Sequence, residues 1–196
     1  MDALESKGSS GQTRLTFKTD LGAMREKVGS KISVPSLHEI WTWQGDTSIL
    51  PHKVTEILNQ VSKFDLGDPR FQNEDPFDFE KPFKSVQIAR QIRELQEGGS
   101  FDPSAFFFIT YRSQAVGCCM VVRDDPNSLD FKIEYLATVP KSIGSGVEET
   151  LVQLALKYIL SHEGEVKIAV EMENEFLREH QAEVFAPILK ANYGFE

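Results

Sequence analysis

The stretch "IEYLATVPKSIGSGVEETLV", residues 133–152, joins a strand, a glycine turn and the start of a helix. Residues 130–139 are rich in apolar and β-branched side chains, as a buried strand requires. The Gly-Ser-Gly at 144–146 predicts a tight turn, and residues 147–160 place apolar side chains on one helical face. The stretch therefore predicts a strand that passes through a glycine turn into an amphipathic helix.

Similar patterns on either side of this stretch predict the other elements of the fold. Apolar runs predict strands, and 3.6-residue periodicity predicts helices. The predicted strands are 36–43, 104–111, 115–124 and 165–172. The predicted helices lie near 50–63, at 85–99 and from about 174. Pro187 is expected to break or restart the last helix. The order β-α-α-β-β-β-α-β-α predicts an α/β (α+β) fold with a mixed, mostly antiparallel central sheet and helices on both faces.

The composition of the N-terminal part predicts an extension followed by one domain. Residues 1–34 are polar and rich in Gly and Ser, which predicts a flexible segment whose only strand-like run is "TRLTFKT", 13–19. Residues 35–196 are expected to form the folded domain. Within it, residues 65–83 contain three Pro and many acidic side chains, so we expect an exposed loop that packs over a cleft.

The charge balance and the cysteine and histidine content narrow the function classes. The formal net charge of −9 disfavours nucleic acid and anionic membranes as partners and mildly favours a cationic or amine substrate. No run reaches the ~18 apolar residues of a membrane span, and the N-terminus does not resemble a secretory signal, so a cytoplasmic location is expected. Cys118 and Cys119 read as buried core residues, and the four His have no metal-like spacing, so we predict no metal site.

The element order and the opening stretch resemble the GNAT superfamily of acyl-CoA-dependent N-acyltransferases. Members read roughly "IEYLAVxPxYRGKGIGxxLL", and residues 133–152 align to that pattern without a gap. "IAVEMEN", 168–174, is similar to the next strand of the family with its trailing Asn, and "YGFE", 193–196, is similar to the Gly-Phe after its last helix. The resemblance covers roughly residues 36–196.

The resemblance implies that acetyl-CoA, or another acyl-CoA, is the co-substrate. In the family, the strand before the turn splays from its neighbour and pairs with the pantetheine arm, while the turn and helix start offer N–H groups to the pyrophosphate. Carried over to this sequence, the cofactor-binding residues are Leu136, Ala137, Thr138, Ile143, Gly144, Ser145, Gly146, Val147, Glu148 and Asn174.

Two positions of the turn depart from the family pattern. The gapless alignment puts Ile143 where the family has Arg or Gln, and Glu148 where it has Gly or Ala. A shifted alignment recovers Lys-x-x-Gly-x-Gly at 141–146, but it requires a gap before Pro140. Apart from any cofactor, Ser145 and Glu148 have the spacing of a capping box, which would satisfy two N–H groups at the helix start.

The resemblance also implies the catalytic groups. Glu134, on the strand before the turn, is the candidate base that deprotonates the amine, with Glu171 and Glu173 as alternatives. The acid of the family is a Tyr in the last helix, and here the candidate is Tyr193. The leading hypothesis is an N-acyltransferase that acts on a small amine or a peptide. The alternative is a GNAT-fold binding or regulatory module in which acyl-CoA chemistry is weak or lost.

The end of the chain raises an expectation about the edge of the sheet. Family members continue past Gly-Phe into one or two further strands beside the strand at 165–171. We therefore expect that edge to be covered, either by "TRLTFKT" or by a second chain, since unpaired inner edges invite aggregation. A homodimer through an exposed sheet edge is one form that such a partner would take.

Overall fold

A six-stranded mixed sheet organises the part of the chain that the computed structural model describes, residues 14–16, 21–28, 31–43, 50–65, 83–162, 166–171, 177 and 180–195. The strands are β1 (Arg14–Thr16), β2 (His38–Thr42), β3 (Phe101–Tyr111), β4 (Gln114–Arg123), β5 (Asp130–Thr138) and β6 (Lys167–Glu171). Their order is β1-β6-β5-β4-β3-β2, and every pair is antiparallel except β5 with β6. The predicted fold class, a mixed and mostly antiparallel sheet with helices, is confirmed.

The helices are α1 (Leu21–Val28), α2 (Leu50–Asp65), α3 (Ser85–Glu97) and α4 (Val147–Leu160). The last three lie close to the positions that the periodicity predicts. The C-terminal helical segment consists of a π-helical turn, Gln181–Phe185, a short α-helix, Ala186–Ile188, and a second π-helical turn, Leu189–Tyr193. Pro187 lies in the short α-helix, but Phe185 and Leu189 on either side of that helix keep right-handed helical φ and ψ angles, so the predicted break or restart of the helix is not seen.

The core lies on both faces of the neighbouring strands β3 and β4. Residues 105–110 of β3 and 116–122 of β4 are buried at every position, which requires cover on each face of the sheet. Helix α4 packs closely on β4 at Gly117, where an added Cβ would lie 2.8 Å from Cγ1 of Val147. Both cysteines are free and buried in this core, as predicted.

Strand β1 covers the edge of β6. The two strands pair antiparallel, with Leu15 opposite Val170, so of the two predicted covers, "TRLTFKT" or a second chain, the first is confirmed over residues 14–16. Helix α1, which the polar composition did not predict, places Met24 and Val28 in the core and contacts α4. Among the side chains of α1 whose burial is described, these two lie in the core, and so weak an apolar pattern could not be read from sequence. A domain boundary near residue 34 stays a prediction.

Several predictions fall outside the described residues. They concern residues 66–82 of the expected loop, Asn174 and Glu173. Glu171 is described as part of β6 by its backbone alone.

Candidate functional site

Strands β5 and β6 pair through four residue pairs in the described part of the chain. The parallel pairing runs from Asp130 opposite Lys167 to Ile133 opposite Val170, and β5 then continues to Thr138. Residues 172–176, which follow β6 in the chain, lie outside the described part. Farther along β5, the carbonyl of Leu136 and the N–H of Thr138 bond to side chains and not to a strand, so this end of β5 has an open edge of the kind that the resemblance implies.

A bulge in β5 lies at this open edge. Cys118 of β4 lies opposite Ala137, whereas Met120 lies opposite Glu134, so β5 has one more residue than β4 between these pairs. Tyr135 lies in the bulge with φ of 50°, an uncommon conformation for a large side chain. Its hydroxyl donates a hydrogen bond to Oε1 of Gln91 on α3, and this contact helps to hold the bulge. The bulge re-aims the backbone groups of β5 just before the glycine turn.

The glycine turn has the backbone geometry that glycine permits. Gly144 has φ of 80° and Gly146 has φ of 91°, and an added Cβ at Gly144 would meet nothing within 4 Å. Helix α4 begins at Val147, so the first N–H groups of a 14-residue helix lie at the end of the turn. Such a turn can approach an anion closely.

The carboxylate of Glu148 folds back onto the turn. Its Oε1 accepts a hydrogen bond of 2.7 Å from the backbone N of Gly144, and the residue is only 3% exposed. A negative group thus already holds one of the N–H groups that a pyrophosphate would use. Lys141 is exposed, and its Nζ donates to Oε1 of Gln114 at 3.3 Å.

The predicted capping box between Ser145 and Glu148 is wrong. Ser145 Oγ donates to the carbonyl of Ser142 at 2.6 Å, and the residue that precedes the helix is Gly146, in a left-handed conformation. The helix therefore starts one residue later than a capping box requires. From that position the Glu148 carboxylate reaches Gly144 instead of Ser145.

Residues 33–35 lie across the start of α4. The hydroxyl of Thr150 donates to the carbonyl of Ser33 at 2.8 Å, and the backbone N of Ser33 donates to Oε1 of Gln153 at 3.4 Å. Pro35 is so close to Gly146 that a Cβ there would lie 3.3 Å from its Cγ. This segment limits the space beside the turn.

Two adjacent side chains of the C-terminal helical segment fill the open edge of β5. Gln181 Nε2 donates to the carbonyl of Leu136 at 3.3 Å, and the backbone N of Thr138 donates to Nε2 of His180 at 3.2 Å. His180 is 4% exposed and Gln181 is 2% exposed. We call this pair the His180–Gln181 plug.

The hydrogen bond from Thr138 fixes the protonation state of His180. Because Nε2 accepts the bond, the ring is neutral and its proton lies on Nδ1. Burial lowers the pKa of His180 to about 4, which keeps the ring neutral at pH 7. The ring also packs edge-on against Phe185, with centroids 5.6 Å apart.

The plug leaves two buried polar atoms without a hydrogen bond among the described residues. They are Oγ1 of Thr138 and Oε1 of Gln181. Leaving a buried polar atom unpaired costs about 1 to 3 kcal/mol. With the plug in place, the hydrogen-bonding capacity of these two atoms at the end of β5 is therefore not used within the described part of the chain.

The two candidate catalytic groups lie in different surroundings. Glu134 is half-buried on β5, immediately before the bulge. Tyr193 is 2% exposed and donates its hydroxyl to Oε1 of Glu149 in the first turn of α4. Burial, followed by this bond, raises the pKa of Tyr193. Asn192 donates to the same carboxylate at 3.0 Å, so this cluster ties the C-terminal segment to the helix start.

The remaining predicted cofactor residues fall into two groups. Leu136, Ala137, Thr138 and Val147 are buried, so their backbone is what they can offer. The turn is more open: Ile143 is 41% exposed, and Gly144 and Ser145 are exposed as well. The structure brings the turn together with Glu148, and it brings the end of β5 together with the plug.

Sequence reasoning missed His180 and Gln181, although one signal was available. Leu177, Val184 and Phe185 occupy the apolar face of a helical repeat, and Gln181 falls on the same face. A polar residue at a core position of an amphipathic helix needs a specific partner. In this chain the partner is the backbone of β5.

Comparison with solved structures finds similar chains at low identity. A candidate acetyltransferase from Pyrococcus horikoshii is 13% identical over 74% of this chain and 87% of its own, with a TM-score of 0.46. An acetyltransferase from Streptococcus agalactiae is 13% identical over 76% and 80%, with a TM-score of 0.44. A transcriptional regulator from Bacillus halodurans is 15% identical over 81% and 95%, with a TM-score of 0.48.

These likenesses do not identify a function. No family model matches the chain, and no curated protein matches it. At TM-scores below 0.5 the function has to be argued from the geometry of this chain. In the described part of the chain, no helix is long and apolar enough to cross a membrane, and no group of His, Cys, Asp and Glu is placed to hold a metal ion.

Proposed function

We propose that this chain is a GNAT-type N-acyltransferase that moves an acetyl or similar group from acyl-CoA to a primary amine. The observation that carries the proposal is the end of β5, where the carbonyl of Leu136 and the N–H of Thr138 bond to side chains and not to a strand, next to a bulge and directly before a glycine turn. A strand edge with free backbone groups pairs with an extended amide chain, as in β-augmentation. The helix start that follows suits a phosphate group.

The backbone of this site fits an acyl-CoA, and the side chains partly oppose it. Leu136 and Thr138 offer a carbonyl and an N–H on the open edge, but the plug holds both in this structure. Gly144 permits close approach of an anion, but Glu148 holds its N–H. Bound acyl-CoA would supply a thioester whose acyl carbon is open to attack by an amine.

The residues of the chain have defined roles in this proposal. The half-buried Glu134 accepts a proton from the substrate ammonium, directly or through a water, and the neutral amine then attacks the thioester carbonyl. Backbone N–H groups at the end of β5 orient and polarise the thioester carbonyl. Tyr193 remains the candidate acid for the leaving thiolate, although its hydroxyl is bonded to Glu149.

A second candidate function is a binding or regulatory module without efficient acyl transfer. The observation that favours it is that three buried side chains, Glu148, His180 and Gln181, take the backbone groups that acyl-CoA would use. In such a module the closed site is the working state of the protein.

Calorimetric titration with acetyl-CoA, followed by a turnover assay, tests the proposal. Titration should show binding, and thermal unfolding should shift upward at saturating acetyl-CoA. Free thiol should then be released when primary amines or Lys-containing peptides are added. Binding without thiol release for any amine favours the second candidate. Absence of binding at millimolar acetyl-CoA overturns the proposal.

The acceptor amine, a cytoplasmic location and a homodimer through a sheet edge stay predictions.

A further inference from the structure

The backbone groups that the His180–Gln181 plug occupies have the spacing of a strand partner. One is the carbonyl of Leu136 and the other is the N–H of Thr138, two residues along the same edge of β5. The plug supplies one donor, Nε2 of Gln181, and one acceptor, Nε2 of His180. A neighbouring strand, or the amide groups of an extended ligand, would supply the same pair of hydrogen bonds.

We propose that the His180–Gln181 plug is an autoinhibitory contact that a pantetheine arm must displace before acyl-CoA can bind. The ligand in this inference rests on the proposed function. The plug and the arm compete for the same carbonyl and N–H on β5, so only one of them can be bound at a time. The affinity of the closed protein for acyl-CoA is reduced by the fraction of molecules in which the plug is open.

Two buried polar atoms at the plug lack hydrogen bonds in the described part of the chain, which lowers the cost of displacing it from β5. Oγ1 of Thr138 and Oε1 of Gln181 have no hydrogen bond among the described residues, so the closed state forfeits part of its possible polar contacts. A ligand with amide groups can satisfy atoms that the plug leaves unpaired.

The plug lies at the end of a helical segment that departs from α-helical hydrogen bonding. Gln181 begins a π-helical turn, and the short α-helix that follows contains Pro187. Single π-helical turns occur often at functional sites and differ from the α-helix by one residue of register. A local change of that register would move His180 and Gln181 along β5 while Phe185, fully buried, stays anchored in the core.

The test separates the β5 edge from the glycine turn by using two ligands. Pantetheine carries the amide groups without the pyrophosphate, so its binding depends on the edge alone. Affinities for pantetheine and for acetyl-CoA are measured by calorimetry for the wild type, for His180→Ala with Gln181→Ala, and for Glu183→Ala. Glu183 is an exposed residue of the same π-helical turn and serves as the matched control.

The double substitution should tighten binding of both ligands by about tenfold or more, as expected when an open state of one-tenth population becomes dominant. Glu183→Ala should bind as the wild type does. In the ligand-free double variant, amide exchange at Thr138 should become faster, because its acceptor is gone, and pantetheine should slow it again. Gln181→Ala alone leaves His180 in place and should also tighten binding of both ligands. This single variant replaces the double variant if the double variant does not fold.

The outcomes distinguish this inference from the proposed function. Equal affinity of wild type and variants for acetyl-CoA would overturn the plug as an inhibitory contact and leave the acyltransferase proposal standing. No binding of acetyl-CoA to any of these proteins would overturn the acyltransferase proposal, and the plug as its gate with it. Tighter binding of acetyl-CoA without tighter binding of pantetheine would place the effect at the turn and overturn the inference.

Discussion

Glu148 and His180 are buried residues whose polar atoms hold backbone groups near the glycine turn. The carboxylate of Glu148 accepts from Gly144, and the ring of His180 accepts from Thr138. Each contact stabilises the protein without ligand and opposes a ligand at the same groups. Single substitutions therefore have opposite expected effects on stability and on affinity, which makes them informative.

Glu134→Gln tests the candidate base. The neutral amide keeps the size of the side chain but cannot accept a proton, so turnover should fall about 100-fold or more, with the affinity for acetyl-CoA nearly unchanged. Steady-state kinetics and calorimetry on the same preparation measure both quantities. An unchanged rate would remove Glu134 from the mechanism and direct attention to Glu171 or Glu173.

Glu148→Gly tests the conflict at the turn. Two unit charges about 4 to 6 Å apart repel by roughly 3 to 4 kcal/mol at an effective dielectric constant near 20, before screening by salt. Removing the Glu148 carboxylate should therefore tighten binding of acetyl-CoA by about tenfold or more. The free energy of unfolding should fall by about 1 kcal/mol or more, because Gly in a helix costs backbone entropy.

Glu148→Gln is the matched control for charge. Its amide oxygen can still accept from Gly144, so it removes the negative charge and keeps the contact. Tighter binding of acetyl-CoA in both variants assigns the effect to charge, and an effect in Glu148→Gly alone assigns it to the blocked N–H. Weaker binding in Glu148→Gly would instead show that the gapless alignment of the turn is wrong.

At the level of elements, the site depends on where pairs of strands begin and end. The described pairing of β5 with β6 ends at Ile133, and farther along β5 the carbonyl of Leu136 and the N–H of Thr138 bond to side chains and not to a strand. On its other side β6 pairs with β1 through three residues in the described part of the chain. An N-terminal strand thus covers the strand that borders the site, and the sequence separation of β1 and β6 makes the contact non-local.

Removal of residues 1–19 should expose β6. Hydrogen–deuterium exchange in the segment 167–171 should be slow in the full chain and should speed up about tenfold or more after the deletion, because one side of the strand loses its partner. Exchange in 118–122 of β4, one of the two central strands, is the internal control. Fast exchange throughout 167–171 in the full chain would contradict the pairing of β1 with β6.

For the whole molecule, the stability should depend on pH through the buried His180. Its pKa is lowered from 6.5 to about 4 by burial, so the unfolded chain binds a proton more readily than the folded protein. The stabilisation is fully present above pH 6.5 and is lost as the pH falls from 6.5 towards 4. The expected loss from this residue is about 3 kcal/mol, since each pKa unit corresponds to about 1.36 kcal/mol.

Urea denaturation at pH 7 and at pH 4.5 measures this dependence. His180→Gln, which keeps a polar side chain but does not titrate, is the comparison that removes the contribution of carboxylates. The wild type should lose more stability than His180→Gln over this interval. Equal losses in the two proteins would show that His180 does not resist protonation in the fold.

The local pattern of the sequence determined most of the elements. The strand, turn and helix of 133–152 follow from apolar spacing and two glycines, and the strand potential of "TRLTFKT" was visible in its alternation. The order of these elements was enough to predict a mostly antiparallel sheet, because short connections between β3, β4 and β5 require neighbouring strands to run antiparallel. These features depend on residues close together in the chain.

Only the tertiary structure decided how the site is filled. His180 and Thr138 are 42 residues apart in sequence, and Tyr193 and Glu149 are 44 apart, so no local pattern could pair them. The start of α4 at Val147, set by the left-handed Gly146, changed the expected capping box into a contact with Gly144. A sequence specifies which groups need partners, whereas the partner that each buried polar group obtains depends on where the packed core places its neighbours.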